Sequence, residues 1–267
     1  MITEGFFSKN NVEIIRKSSE FIENEKYSDK FLFDNSKNMI EYGTKWATDP
    51  FHAWSRQFEY PWVTQQIKNY VSNIDYALTV MDAGSGYTYF PYYLSNKVLP
   101  KNSLVHAIDY DIWLKSFYDN TNDNSKHNIF FEHCDLSNIS YESKFDIIYS
   151  ISTLEHSASQ LKENLNKLYT ALKPGGCLIL SMDVSRDGGT DIDIDIFKSI
   201  WTTIRSEWNK INPVQQDLLN LLPYDIENND ANVFTLATAL NSYAIYEKWI
   251  SKNYYQLSIF GAVFIKN

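Results

Sequence analysis

Cysteine is scarce in this chain. Cys134 and Cys177 are the only two in 267 residues, too few for a disulfide framework or a cysteine metal cluster. Positive charge is also short: 24 Lys and Arg stand against 33 Asp and Glu, a formal net charge of −9. With no concentrated basic run to offset it, this balance argues against a nucleic-acid backbone or an anionic membrane surface as the main partner. No apolar run approaches membrane-spanning length. Met1-Ile2-Thr3-Glu4-Gly5 lacks the charged-then-apolar pattern of a signal segment. The expectation is a soluble cytoplasmic protein. There is no internal repeat. The Asp191–Asp195 alternation has no histidine beside it, so it reads as a solvated helix start and no metal site is expected; a carboxylate site for magnesium or calcium is the open alternative.

What is present supports a sizeable core. Hydrophobic residues make up 44% of the chain and aromatics 16%, which sets aside global disorder. The length suits one large α/β domain with a cap, or two small domains. Residues 1–75 read as a helical N-terminal cap. Ile14, Ile15, Phe21 and Ile22 fall on one broad face of a helix over 11–24. Lys26 to Lys37 is polar and reads as a loop. Asp49 before Pro50 is a helix start, and Tyr60-Pro61 breaks that segment and opens a helix burying Val63, Ile67, Tyr70 and Val71.

From residue 76 to 267 strands and helices alternate, which predicts a mostly parallel sheet. The strands are Leu78–Asp82, Leu104–Asp109, Asn128–Cys134, Phe145–Ser150 and Cys177–Asp183. An amphipathic helix capped by Ser159 carries Leu161, Leu165, Leu168 and Leu172, and Lys173-Pro174-Gly175-Gly176 ends it. A helix over Ile196–Trp208, a strand over Val233–Leu240, a helix over Tyr243–Lys252 and a last strand over Gln256–Ile265 complete the pattern.

The informative stretch is Val80-Met81-Asp82-Ala83-Gly84-Ser85-Gly86-Tyr87: a buried strand, an acid, and a turn with two glycines before a helix start. Gly84 and Gly86 let the backbone bend sharply and approach a ligand. The dinucleotide fingerprint requires a third glycine where Tyr89 stands, and no Gly-Lys-Ser/Thr follows for a P-loop. An acid two residues before the first glycine suits a ligand that carries positive charge. Further acids close the later strands: Asp109, Asp135 and Asp183. In such a sheet ligands bind beyond the C-terminal strand ends, at the switch point.

Taken in order, these motifs resemble the class I S-adenosylmethionine-dependent methyltransferases. Asp82-Ala83-Gly84-Ser85-Gly86 resembles the family's glycine-rich cofactor motif. Asp109, closing Val105-His106-Ala107-Ile108, resembles the acid that holds both ribose hydroxyls. Cys134-Asp135-Leu136 resembles the motif whose acid meets the adenine amino group. Phe145–Ser150 and then Leu154-Glu155-His156 are similar to the fourth strand and the loop beside the reacting methyl. Leu172-Lys173-Pro174-Gly175-Gly176 matches the turn before the fifth strand. Thr88 stands where many members carry another glycine. The resemblance implies a Rossmann-like sheet with an antiparallel last strand and S-adenosylmethionine as cofactor. It implies Asp82, Gly84, Gly86, Asp109, Tyr110 and Asp135 as the cofactor-binding residues. Asp109 is alternatively a plain helix cap, Asp135 a local turn cap, and Tyr110 packs or flanks the adenine.

His156 follows the fourth strand and has a side chain suited to a base near neutrality; the alternative is a loop histidine that only hydrogen-bonds. His52 and Arg56 in the N-terminal segment and Arg186 after the fifth strand are the candidate acceptor-binding residues; Arg56 alternatively pairs with Glu59. Trp54 to Pro61 and the Ile259–Phe264 ending resemble bacterial methyltransferases of surface-polysaccharide and secondary-metabolite pathways. That likeness implies a small polar acceptor methylated on oxygen: a sugar, a sugar nucleotide, or a phosphate- or phosphoramidate-bearing capsule precursor. The alternatives are N- or C-methylation of a small metabolite, or a cofactor-binding scaffold without turnover. The oligomeric state is left open.

Overall fold

The computed structural model describes residues 5–7, 9–53, 55–185, 192, 195–197, 199–200, 234–235 and 256–266. Its N-terminal part holds more helix than the sequence pattern suggests. After a two-residue strand β1 (Gly5–Phe6), α1 (Lys9–Arg16) is followed by α2 (Ser19–Asp34). Ser18 separates them: its hydroxyl accepts from the Phe21 amide at 3.1 Å and caps a new helix. The new helix resets the phase, so Ile15 is buried whereas Ile14 and Ile22 are exposed, against the single-face expectation. The polar stretch Lys26–Lys37 is not a loop. α2 runs through most of it, because Asn24, Ser28 and Phe31 recur at helical spacing and are all buried. α3 (Ser36–Tyr42) follows directly.

Asp49-Pro50 does not start a helix. The Asp49 carboxylate instead accepts from the His52 amide at 3.2 Å and holds His52 Nδ1 at 2.7 Å, a turn closed by its own side chain. α4 (Arg56–Val71) begins later and passes through Pro61 unbroken. A proline inside a helix costs one backbone bond. Here the burial of Phe58, Tyr60, Trp62, Val63 and Ile67, each at most 5% exposed, outweighs that cost.

The remaining elements are β2 (Thr79–Ala83), α5 (Phe90–Tyr93) with a single wider turn after it, β3 (Leu104–Asp109), α6 (Lys115–Asp119), β4 (Ile129–His133), β5 (Phe145–Ile151), α7 (Leu161–Ala171), β6 (Leu172–Ser185), β7 (Phe234–Thr235) and β8 (Gln256–Ile265). The expected Ser159 cap on α7 is not made; Gln160 holds the cap position without a side-chain bond. Sheet order is β1-β8-β6-β5-β2-β3-β4, with β7 also on β8. β2 to β6 run parallel, and β8 is antiparallel to β6. This is the Rossmann-like architecture with an antiparallel last strand. β1 on the edge of β8 was not foreseen, since two residues carry no periodicity. The expected helices over 196–208 and 243–252 and most of the strand over 233–240 lie outside the described residues.

Connections run outward to β3 and β4 on one side of β2 and to β5 and β6 on the other. The switch point therefore lies between the C-terminal ends of β2 and β5. One face of the sheet buries Val80, Tyr149 and Ile179 against the N-terminal helices and α5. The other face buries Met81, Ile148 and Leu178 against Leu161, Leu165 and Leu168 of α7.

Candidate functional site

The turn after β2 is held by backbone and side chains together. Gly84 and Ser85 both donate their amides to the Ile108 carbonyl, at 2.9 and 3.0 Å. The Gly86 amide donates to Asp109 Oδ2 at 2.9 Å, while Asp109 Oδ1 accepts from the Asp111 amide at 3.0 Å. Thr153 donates to the Gly84 carbonyl and Tyr118 to the Gly86 carbonyl. Gly84 has φ +78° and Gly86 φ +52°, a region that L side chains rarely adopt. A Cβ on Gly84 would lie 2.0 Å from the Thr153 methyl, and one on Gly86 2.8 Å from the Tyr42 hydroxyl. Both positions therefore need glycine for its φ and for the space it leaves.

A cleft of about 450 Å³ opens over this turn at the switch point, within the range of small-ligand sites. Gly84, Gly86, Asp109, Tyr110, Asp135, Arg56 and His156 all line it. The structure thus brings together seven residues that the sequence singles out. Burial raises the Asp109 carboxyl above its ordinary value, partly offset by the amides of Asp111 and Gly86. Asp135 also caps its own turn, accepting from the Ser137 amide at 2.8 Å. His156 and Tyr110 are exposed.

The other two described candidates lie elsewhere. Asp82 is 5% exposed and is not among the lining residues. Burial, reinforced by the nearby Asp109 charge, pushes its carboxyl up to about 8. His52 sits between Asp49 at 2.7 Å and Glu25 at 3.4 Å, does not line the cleft, and is held protonated to higher pH by these acids. Arg186 lies outside the described residues.

Sequence reasoning missed much of the opposite wall. Arg56 Nη1 donates to Glu59 Oε2 at 2.9 Å, and its Nη2 donates to the Ser152 carbonyl at 3.3 Å. Glu59 is fully buried and also accepts from Ser55 at 2.7 Å and from Ser152 at 2.8 and 2.9 Å. Ser152 has φ +42°, a strained value for serine at the end of β5, and Glu59 holds it there. Glu155 and Asp183 complete the cluster, with the Asp183 amide donating to Glu155 Oε1 at 3.3 Å. Burial, and then the Asp183 charge, hold Glu155 well above the usual carboxylate range. Tyr42 and Trp46 line the cleft from the N-terminal segment, and Tyr60 from α4. In sequence Trp46 and Tyr60 read first as core aromatics, in a segment that is also the natural source of a cap over the site, and both line the cleft.

Residues 80–176 match the sequence family described as a methyltransferase domain. That stretch holds the glycine turn, Asp109 and Asp135, and there the chain is similar to methyltransferase domains. No curated protein matches the sequence. Among solved structures the chain is similar to a protein from Galdieria sulphuraria provisionally assigned as a sarcosine dimethylglycine methyltransferase. The TM-score is 0.53 at 12% identity, covering 88% of this chain and 98% of that one. It is also similar to the (4+2) cyclase SpnF, with a TM-score of 0.50 at 14% identity over 88% of this chain and 93% of that one. At such identities the likeness concerns the fold, and the cyclase illustrates that one fold hosts different reactions.

The glycine turn keeps clear the space that Cβ atoms would fill, and the Asp109 carboxyl lines the cleft beside it. Among the described residues no helix is long and apolar enough to cross a membrane, and no group of three or more His, Cys, Asp or Glu is arranged to hold a metal.

Proposed function

We propose that this enzyme methylates an oxygen of a small polar acceptor, with a sugar hydroxyl as the favoured group. The observation that carries this reading is one shared cleft. The locked glycine turn with Asp109 lines one side of it, and the exposed His156 imidazole lines the wall that follows β5. When bound, S-adenosylmethionine supplies an activated methyl group. Asp109 accepts from its ribose hydroxyls. Asp135 and Tyr110 flank its base. Asp82 lies beneath the turn, where an arriving ammonium would favour its charged form. His156 takes the proton that a hydroxyl sheds on becoming an ether. The walls contribute by holding both partners in line.

A phosphate or phosphoramidate acceptor is less well supported. Arg56, the one Lys or Arg among the described residues that line the cleft, would have to serve both such an acceptor and the cofactor's own carboxylate. A capsule-precursor sugar remains within the proposal and gives the first acceptors to screen. Transfer of labelled methyl to sugars and sugar nucleotides tests it. His156→Ala is expected to lower kcat about 100-fold while S-adenosylhomocysteine affinity stays within twofold of wild type. Undiminished turnover in that variant would remove His156 from the mechanism.

A further inference from the structure

The amino-acid end of the cofactor carries a carboxylate, and the glycine turn offers it little. All three turn amides are spent inside the protein: Gly84 and Ser85 on the Ile108 carbonyl, Gly86 on Asp109. Expecting those N–H groups to hold the carboxylate is natural from sequence, and the geometry removes them. A carboxylate buried in a cleft still needs donors.

Arg56 is the one Lys or Arg among the described residues that line the cleft. Its side chain is 23% exposed. It stands at the correct place. Its Nη2 donates to the Ser152 carbonyl, and the next residue, Thr153, donates to the Gly84 carbonyl at 3.0 Å. Arg56 and the glycine turn are therefore facing walls joined by two residues of the β5 end. Glu59 takes Nη1 only, so a guanidinium with five donors keeps an edge for a second carboxylate.

We infer, resting on the cofactor reading above, that Arg56 is the anchor for the cofactor's amino-acid carboxylate, with Glu59 as the strut that aims it. The acids behind Arg56 do not defeat this arrangement. Glu59 is paired with Arg56 itself, and burial favours the neutral form of Glu155. The arriving group is a zwitterion, so its ammonium offsets the remaining charge. The split also explains an acidic wall at the inner end of the cleft: it fixes a guanidinium instead of receiving an acceptor.

The test compares S-adenosylhomocysteine with 5′-methylthioadenosine, which keeps the nucleoside and sulfur and lacks the amino acid. Binding of both is measured by calorimetry to wild type and to Arg56→Lys. Lysine keeps the charge opposite buried Glu59 but loses the forked geometry. The expected result is at least tenfold weaker binding of S-adenosylhomocysteine, with 5′-methylthioadenosine unchanged within twofold. Parallel weakening of both ligands, or of neither, overturns the proposal, since a merely structural role acts on both alike. A second measurement needs no variant. The decarboxylated analogue of S-adenosylhomocysteine should bind wild type at least tenfold more weakly than the parent, and equal binding overturns the proposal. Absence of S-adenosylhomocysteine binding to folded wild type would instead overturn the cofactor reading beneath it.

Discussion

Replacing Asp109 by alanine separates the two tasks the structure gives that residue. The carboxylate accepts from Gly86 N at 2.9 Å and from Asp111 N at 3.0 Å, and it lines the cleft at 8% exposure. Deleting it strands two part-buried amides. Each such loss costs about 1 kcal/mol net. Removing a carboxyl that burial already disfavours returns part of that. The ligand-free protein should therefore lose roughly 1–2 kcal/mol, a Tm decrease of roughly 2–8 °C for a chain of this size. Binding loses more. A charge-assisted hydrogen bond to a ribose hydroxyl contributes about 1.5–3 kcal/mol, so S-adenosylhomocysteine affinity should fall roughly 10- to 100-fold. Thermal melts without ligand read the first share, and calorimetry at a temperature well below both melting points reads the second. A Tm decrease with affinity within threefold of wild type would show that Asp109 only ties the loop, and the ribose assignment would fall. Unchanged Tm and unchanged affinity would refute the hydrogen-bond reasoning as well.

Two further perturbations probe the same wall. Gly84→Ala places a Cβ 2.0 Å from the Thr153 methyl at φ +78°. The left-handed backbone alone costs about 1–2 kcal/mol, so a lower Tm is expected. The double variant with Thr153→Gly should recover the steric part, and strictly additive losses in a double-mutant cycle would contradict the contact. Asp82 offers a pH test. Its folded-state carboxyl, near 8, lies above the ordinary unfolded value, so its contribution to stability is complete below about pH 4 and is lost as pH rises through 8. Asp82→Asn should flatten that part of the stability profile between pH 5 and 8. An unaltered slope would mean that Asp82 ionises normally.

The cofactor half of this protein is legible in sequence because local geometry demands particular residues there. Gly84 and Gly86 sit at positive φ, and Asp109 ends a strand whose bounds follow directly from Leu104-Val105-His106-Ala107-Ile108. Parallel strands buried on both faces announce themselves as apolar runs. The N-terminal segment resists the same reading. α2 buries Asn24 and Ser28, with Thr64 and Tyr89 bonding to Asn24, so hydropathy alone places its face wrongly. Asp49-Pro50 has the composition of a helix start, and His52 captured its carboxylate instead. Local signals of equal strength were decided by tertiary partners.

The opposite wall is illegible for a deeper reason. Arg56 and Glu59 come from α4, Ser152 and Glu155 from the end of β5, and Asp183 from β6. Arg56, its possible partner Glu59 and the strand-end Asp183 stand out in sequence, yet nothing in any one stretch shows that they meet Ser152 and Glu155. Only the fold reveals that Glu59 is fully buried and collects hydrogen bonds from Ser55, Arg56 and Ser152. Burying a carboxylate is costly unless it is paired and bonded, and this one is both. The arrangement ties α4 to the end of β5 and holds Ser152 in a backbone conformation it would not adopt alone. Glu59→Gln should therefore disturb more than one hydrogen bond. Without the charge, Arg56 loses its ion pair and Ser152 its strongest acceptor, so the wall that faces the glycine turn loosens while the turn itself stays locked by Asp109. If Arg56 anchors the cofactor as proposed, its placement depends on a helix outside the matched region, residues 80–176. That is why the motifs of the sheet identify the chemistry and leave the geometry of the amino-acid end to be found in α4.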